Sequence, residues 1–248
     1  MSSETLEKFA NLNPINSEII IEKTSEYEYQ SWCLIIKENN VIQAENKYTE
    51  IEEVEKIICG YLKSKDMKLQ ILGYLSVIFW GFAGSSDFDK KPTEERALSR
   101  IKSTGLVSKD SKVNDIKLID INTETSRFIA DIISNVIDEV TKRNYSTAVA
   151  FASLLPQLGF SFATKLIMFI DPNNCGVLDK VVAKKLKLSS LEWTNSNGEK
   201  SYLKPSLKNY LFYSDYCSWL QKLAPLIIDK NKKSLNRAVD VERFIFSL

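Results

Sequence analysis

Residues 154–182 read LLPQLGFSFATKLIMFIDPNNCGVLDKVV, and they are the most informative part of the sequence. The segment LPQLG at 155–159 predicts a tight turn, because proline and glycine interrupt helices. Mostly apolar residues then run from 160 to 170 and predict a helix. After a break at Pro172, VLD at 177–179 ends on an aspartate, a preferred residue type immediately before a helix. The stretch therefore predicts two helices joined by a turn, then a loop and a third helix.

The same residues resemble the core of the helix-hairpin-helix DNA glycosylases. In that superfamily a helix ends in an LPGxG-type hairpin, a second helix follows at once, and a loop then places an aspartate at the start of a third helix. On this resemblance 155–159 is the hairpin, and Asp179 falls on the catalytic aspartate of the endonuclease III branch. The Thr164-Lys165 pair and the closing segment RAVDVERFIF at 237–246 also look like bacterial proteins similar to 8-oxoguanine glycosylase.

A glycine-closed hairpin lets backbone N–H groups come close to a phosphate, and the positive end of the following helix favours the anion. The resemblance therefore implies that the hairpin binds DNA regardless of base sequence. Gln157 replaces the hairpin's first glycine, which would alter how closely a phosphate approaches. The candidate DNA-binding residues are Gln157, Leu158, Gly159, Ser161, Lys180 and Lys184.

Lys165 is the candidate nucleophile. Bifunctional family members carry their lysine two residues beyond the hairpin's last glycine, where this chain has Ser161. Lys165 lies one helical turn further along the same face, so its long side chain could reach the same pocket. The alternative is a lysine whose stem covers apolar helix surface. For Asp179 the alternative is a helix cap alone, which stabilises a helix by about 1 kcal/mol.

An extruded base needs an aromatic surface to receive it. We predict a base pocket from Trp80, Phe82 and Phe160, with Phe162 close to it, although core packing would explain each ring equally well. Arg96, Arg100 and Lys102 could bind phosphate or lie on an exposed helix face. Asp240 and Glu242 are expected on the surface of the closing helix, with the orientation of a lysine or of a base edge as the alternative.

Composition excludes several chemistries. The chain has no histidine, which removes Ser-His-Asp hydrolases, Cys-His proteases and HExxH metallopeptidases. Its four cysteines form no CxxC pair and predict buried thiols rather than a zinc or iron–sulfur site. We therefore expect no metal and no cofactor, and chemistry performed by carboxylates, lysines, hydroxyls or tyrosines.

Charge is distributed unevenly although the net charge is only +1. Residues 1–60 hold twelve Glu against five Lys, while 180–208 hold seven lysines against two glutamates. The basic segment could face phosphates, or it could be a solvated lysine face. We predict an acidic N-terminal extension over 1–48 and an all-α glycosylase domain over 49–248, with the hairpin near 154–162.

The fold class that we predict is mainly α. Apolar residues recur at helical spacing over 51–62 and 69–82, and in a broad stripe from Phe128 to Val140. Strand-like residues occur only at 19–22 and 31–44, where an Asn39–Asn40 turn indicates a small β-hairpin. The apolar runs are too short to cross a bilayer, and MSSETLEKFA at the start is unlike a signal peptide.

The expected function is therefore DNA N-glycosylase activity on double-stranded DNA that contains a damaged or modified base. The resemblance fits base-excision repair or defence against modified phage DNA, with strand-nicking lyase activity if Lys165 is the nucleophile. We expect a bacterial cytoplasmic monomer, associated with the nucleoid when bound. The alternatives are a catalytically silent DNA-binding protein of the same fold, or an all-α interaction protein without a nucleic-acid role.

Overall fold

The computed structural model describes residues 19–21, 32–37, 41–47, 50–83, 93–194, 201–229 and 236–247. Across these residues the fold is mainly α, which confirms the prediction. The helices are α1 (Ile51–Leu62), α2 (Met67–Ala83), α3 (Thr93–Lys102), α4 (Glu124–Thr141), α5 (Tyr145–Ala152), α6 (Phe160–Ile170), α7 (Lys180–Lys185), α8 (Leu207–Leu223) and α9 (Ala238–Ser247). A 3-10 turn over Ala224–Leu226 follows α8.

The described strands are short and pair in twos. They are β1 (Ile19–Ile21), β2 (Cys33–Ile36), β3 (Ile42–Glu45), β4 (Trp193–Thr194), β5 (Tyr202–Leu203) and β6 (Ile227–Asp229). The β2–β3 pair is antiparallel and confirms the predicted hairpin, although the Asn39–Asn40 turn lies outside the described residues. The parallel β1–β6 pair was not predicted, because its strands are far apart in the chain.

The β2–β3 hairpin packs on the helices. Cys33 and Leu34 are fully buried and belong to the same apolar core as α2. The predicted division of the chain at residue 48 stays a prediction, and this contact shows only that the hairpin contributes to the helical core.

Helix α2 lies at the centre of the core. Ten consecutive residues, from Gln70 to Phe79, are buried, as expected of a helix that is apolar on all sides. It packs against α1, α3, α4 and α6. Its last turn carries Trp80 and Phe82, so the central helix ends at the candidate base pocket.

The apolar stripe predicted along helix α4 is wrong at its first residue. Ile129, Ile133 and Val136 are buried as expected, but Phe128 is 48 % exposed. Phe128 lies one residue before Ile129, about 100° away around the helix, and so faces solvent. Thr123 begins the helix, because its side-chain oxygen accepts a hydrogen bond from the N–H of Ser126 at 3.2 Å.

The predicted turn at 155–159 joins α5 to α6. Gln157 has φ of +63°, in the left-handed region that favours glycine. The Tyr74 hydroxyl of α2 donates a hydrogen bond to the Pro156 carbonyl and holds the turn against the central helix. Gly159 begins α6 without a side-chain cap, which leaves the first N–H groups of α6 open to a ligand.

A group of buried charges joins α9 to α1. Glu55 of α1 accepts hydrogen bonds from Arg237, at 2.7 Å, and from Arg243. Both arginines also pair with Asp240, and Arg237 pairs with Glu52 at 3.1 Å. Glu55 is 3 % exposed and Arg243 is 8 % exposed. Their pairing offsets much of the free-energy cost of removing both charges from water.

Replacing Gln157 by glycine is expected to stabilise the protein by about 0.5 kcal/mol. The substitution relieves about 1 kcal/mol of left-handed strain and loses part of that gain because glycine is more flexible in the unfolded chain. Urea denaturation measures the change. Gln157→Ala keeps a Cβ at the same φ and should show no gain, so equal stabilisation by both variants would contradict the explanation.

Replacing Glu55 by glutamine is expected to lower the free energy of unfolding by about 3 kcal/mol, since the buried Arg243 and the partly buried Arg237 lose a shared anion. Glu139→Gln is the control, because its pair with Lys142 involves a lysine side chain that is 65 % exposed. Urea denaturation of both variants should show a large loss only for Glu55→Gln. Equal losses would mean that the buried group does not hold α9.

Candidate active site

The loop between α6 and α7 carries Asp179, and Thr164 of α6 holds its end. The Thr164 hydroxyl oxygen accepts a hydrogen bond from the N–H of Leu178 at 3.1 Å. The same hydroxyl lies 2.9 Å from the carbonyl of Ser161. Thr164 is fully buried, so this link is protected from water. The residue before Asp179 is therefore fixed to the helix that carries Lys165.

Helix α8 holds the other side of this loop through three donors. The Tyr213 hydroxyl donates to the Gly176 carbonyl at 3.1 Å, and the Tyr216 hydroxyl donates to the Val177 carbonyl at 3.2 Å. The Gln221 amide donates to the Asn174 carbonyl at 2.9 Å. These bonds satisfy the carbonyls of an irregular buried segment and make the path of the loop rigid.

Asp179 is the N-cap of α7, as the sequence predicts. Its Oδ1 accepts hydrogen bonds from the N–H groups of Val181, at 2.9 Å, and Val182, at 3.0 Å. Among the described residues none donates a hydrogen bond to Oδ2. The carboxylate is partly buried. One oxygen thus fixes the side chain, while the other is available to a ligand.

Lys165 extends over two aromatic rings. Its Nζ lies 4.5 Å from the centre of the Phe162 ring and 5.8 Å from that of the Trp80 ring. Burial lowers the pKa of the Lys165 amine, and the carboxylates of Asp179 and Glu242 oppose that decrease. The structure thus places the predicted lysine and aspartate within electrostatic reach of each other. A lysine with a lowered pKa is more readily neutral, as a nucleophile must be.

The surface position expected for Glu242 was wrong. Glu242 is 5 % exposed, and its carboxyl group faces the loop before Asp179. Burial, together with the negative charge of Asp179, raises the pKa of Glu242 to about 8, although Arg243 and Lys165 act in the opposite direction. The loop accommodates this side chain because residue 176 is glycine. A Cβ there would lie 2.7 Å from the Cβ of Glu242.

Aromatic rings surround the Lys165 side chain. The Phe82 and Phe162 rings stack with centres 4.6 Å apart, and Trp80 meets Phe169 edge-on at 5.2 Å. Two of the candidate phosphate-binding residues contact Phe82 in this structure. Arg96 donates to the Phe82 carbonyl at 3.0 Å, and the Arg100 guanidinium lies 5.0 Å from the centre of the Phe82 ring.

The Phe160 ring lies apart from the rings that surround Lys165. It is fully buried, and its ring contacts those of Tyr210 and Tyr213. The ring therefore offers no surface to a base in this structure. Phe162 occupies the position beside Lys165 that we expected Phe160 to occupy, because residues 160 and 162 face different sides of α6.

The candidate DNA-binding residues differ in exposure. Gln157, Gly159 and Lys184 are exposed, whereas Ser161 and Lys180 are partly buried. Leu158 is 3 % exposed, so its side chain packs in the core and only its backbone could contact DNA. Lys102 is partly buried at the end of α3.

Glu242 and Phe162 are the residues whose roles sequence reasoning underestimated. Ala238, Val241 and Ile245 form an apolar stripe at spacings of three and four, and residue 242 lies at its edge. That pattern was a usable signal for burial. No local pattern indicated that the glutamate would pack against the loop at Gly176, because that loop lies some 65 residues earlier in the chain.

Within the described ranges, no group of three or more His, Cys, Asp or Glu residues is arranged to hold a metal ion. None of the helices in the same ranges has both the length and the apolar character needed to span a bilayer.

Replacing Gly176 by alanine is expected to destabilise the protein by about 2 kcal/mol, because the new Cβ would meet Leu220 at 2.6 Å and Glu242 at 2.7 Å. Gly60→Ala is the matched control, since a Cβ at that helical site meets nothing within 4 Å. It should stabilise the chain by up to about 1 kcal/mol. Thermal unfolding measures both, and a neutral Gly176→Ala would show that α9 can move away freely.

Comparison with known proteins gives one match. A model of the family described as "Putative 8-oxoguanine DNA glycosylase OGG-like protein" matches residues 115–246. Searches of curated proteins and of solved structures found no match. The matched region is more than half of the chain and contains the hairpin, Lys165, Asp179 and Glu242. The chain therefore belongs to the OGG-like DNA glycosylase family.

Proposed function

We propose that this protein is a DNA glycosylase that flips a damaged or modified base out of duplex DNA and cleaves its N-glycosidic bond. One observation carries the proposal. A partly buried aspartate and a lysine with a lowered pKa interact beside the Trp80 and Phe162 rings, on elements that follow the hairpin in the chain. Family membership supports the same activity.

The hairpin is the proposed contact with the DNA backbone. The N–H groups at the start of α6 have no side-chain cap, and the helix places its positive end there. Gln157 and Gly159 are exposed beside these groups. Lys180 and Lys184 of α7 would contact flanking phosphates, since lysine binds phosphate as a point charge. Such contacts position the DNA without reading its sequence.

The partly exposed rings of Trp80, Phe82 and Phe162 are the proposed surface for the flipped base. Flipping a nucleotide costs a few kcal/mol, and stacking on aromatic rings offsets part of that cost. Trp80 and Phe82 keep partial exposure, and Phe162 stacks on Phe82. The Arg100 guanidinium packs over Phe82 and would limit how far the base enters. The base itself is an oxidised or otherwise modified one, in repair or in defence against modified phage DNA.

The chemistry has two routes. Cleavage develops positive charge on the sugar, and the Asp179 carboxylate stabilises that charge more than it stabilises the ground state. In the first route the neutral Lys165 amine forms a bond to C1′, and the base leaves with the electron pair of the C1′–N bond. Opening of the sugar ring then gives a Schiff base, which permits strand nicking.

In the second route water attacks C1′, Asp179 accepts a proton from that water, and the product is an abasic site. Lys165 would then only contact the DNA or the base. The desolvation of its amine favours the first route, because an amine kept only for phosphate binding would be better solvated and charged.

Replacing Asp179 by asparagine is expected to reduce base release at least ~100-fold while leaving stability nearly unchanged, because asparagine caps a helix about as well as aspartate. The assay follows release of free base from duplexes carrying oxidised, alkylated or glucosylated bases. Asp179→Ala is the comparison, since it should lose both activity and about 1 kcal/mol of stability. An active Asp179→Asn protein would refute the catalytic role of the carboxylate.

Lys165→Ala separates the two routes in the same assay. Loss of borohydride-trapped protein–DNA adduct in this variant would assign the lysine route, and retained base release would assign the water route. Salt-dependent DNA binding without base release from any duplex would favour the catalytically silent DNA-binding protein.

A further inference from the structure

The Phe162 ring of α6 is enclosed by the last turn of α2. The Phe82 ring stacks on it, with centres 4.6 Å apart and an angle of 24° between the two planes. The backbone of Gly81 lies at its edge, where a Cβ would overlap the Cε1 atom of Phe162 and lie 2.9 Å from its Cζ. Close-packed side chains cannot shift without a clash. The ring therefore has one defined place, and that place exists because residue 81 is glycine.

The last turn of α2 is itself held by neighbouring helices. From α3, Arg96 donates a hydrogen bond to the Phe82 carbonyl at 3.0 Å, and the Arg100 guanidinium lies 5.0 Å from the centre of the Phe82 ring. From α6, Phe169 meets the Trp80 ring edge-on at 5.2 Å. The surroundings of the Phe162 ring are thus fixed by α2 and α3 as well as by its own helix.

The second face of the Phe162 ring carries the Lys165 amine. Nζ lies 4.5 Å from the centre of this ring. Two rings whose centres are 4.6 Å apart leave no room for an amine between them, so Nζ lies on the face away from Phe82. Residues 162 and 165 are three apart on α6, a spacing at which helical side chains are neighbours. The Trp80 ring is further from Nζ, at 5.8 Å.

We propose that Phe162 is a positioning residue that fixes the Lys165 amine for attack on C1′, and that Gly81 provides the space for its ring. A lysine amine ends a flexible four-carbon side chain. Attack is fast only when the attacking atom is held near its target in the right direction, and a displacement of about 1 Å can cost ~100-fold in rate. The inference deepens the proposed function and rests on its lysine route.

The first test needs no DNA. The protein is labelled with carbon-13 at the lysine Cε, and NMR records the attached protons, with the signal that is missing from Lys165→Arg assigned to Lys165. Protons over the face of an aromatic ring are shifted upfield, so this signal should lie upfield of those of exposed lysines. It should move towards them in Phe162→Leu, which removes the ring. It should also move in Gly81→Ala, where the ring is kept but displaced.

Gly60→Ala is the matched control for Gly81→Ala. A Cβ at residue 60 meets nothing within 4 Å, so this variant should leave the Lys165 signal unchanged. Thermal unfolding of each variant verifies that the fold is kept. An unchanged Lys165 signal in folded Phe162→Leu would overturn the inference, because the ring would then not determine where the amine lies.

Combining Gly81→Ala with Phe162→Leu separates packing from positioning. Leucine lacks the Cε1 and Cζ atoms that the new Cβ would meet. Gly81→Ala should therefore lower the midpoint of thermal unfolding less when residue 162 is leucine than when it is phenylalanine. The Lys165 signal of the double variant should nevertheless stay close to that of Phe162→Leu, since relief of the clash does not restore the ring.

The second test measures borohydride trapping on a duplex with an abasic site, which offers no base to stack on Phe162. Phe162→Leu and the double variant should lower the trapping rate at saturating protein at least ~10-fold, with the half-saturating concentration changed by no more than ~2-fold. A ring that serves only as a surface for the base would leave trapping on this duplex unaltered.

The two tests distinguish the inference from the proposed function. If the NMR signal moves but no protein is trapped, the packing of the amine on Phe162 stands and the lysine route of the proposed function fails. If the unmodified chain is trapped and Phe162→Leu is trapped at the same rate, the lysine route stands and the inference about Phe162 fails.

Discussion

The backbone of Gly176 lies so close to α9 that no side chain fits between them. This contact brings together four parts of the chain, because the same loop is bonded to α6 through Thr164, to α8 through Tyr213 and to α9 through its first N–H groups. Asp179 lies at the end of that loop. Its position relative to Lys165 therefore depends on how tightly the loop and α9 pack.

Helix α9 contributes residues to two groups of buried charges. On one side Arg243 and Arg237 pair with Glu55 of α1, and on the other the buried Glu242 interacts electrostatically with Lys165. Each group is costly to desolvate alone, and pairing offsets much of that cost. The first group has full partners and fixes the helix. The second has an acid with a raised pKa and an amine with a lowered one, an arrangement typical of sites that move protons.

Much of the fold could be predicted from local pattern. The helical spacing of apolar residues predicted a mainly α chain, and the Asp179 cap and the β2–β3 hairpin were found where expected. Phe128 was assigned to the buried stripe wrongly, because apolar character alone does not tell which residues at the edge of a stripe face solvent. Among the rings predicted near a base pocket, Phe162 rather than Phe160 lies beside Lys165, and Phe160 packs on Tyr210 instead.

The local sequence along 154–182 predicted the turn, the helix that follows and the aspartate that caps the next helix, because these depend on backbone preferences within a few residues. The burial of Glu242 against the Gly176 loop and the desolvation of the Lys165 amine over aromatic rings depend on tertiary packing. Burial and electrostatic interaction arise from the packing of segments distant in the chain, and no local spacing encodes them.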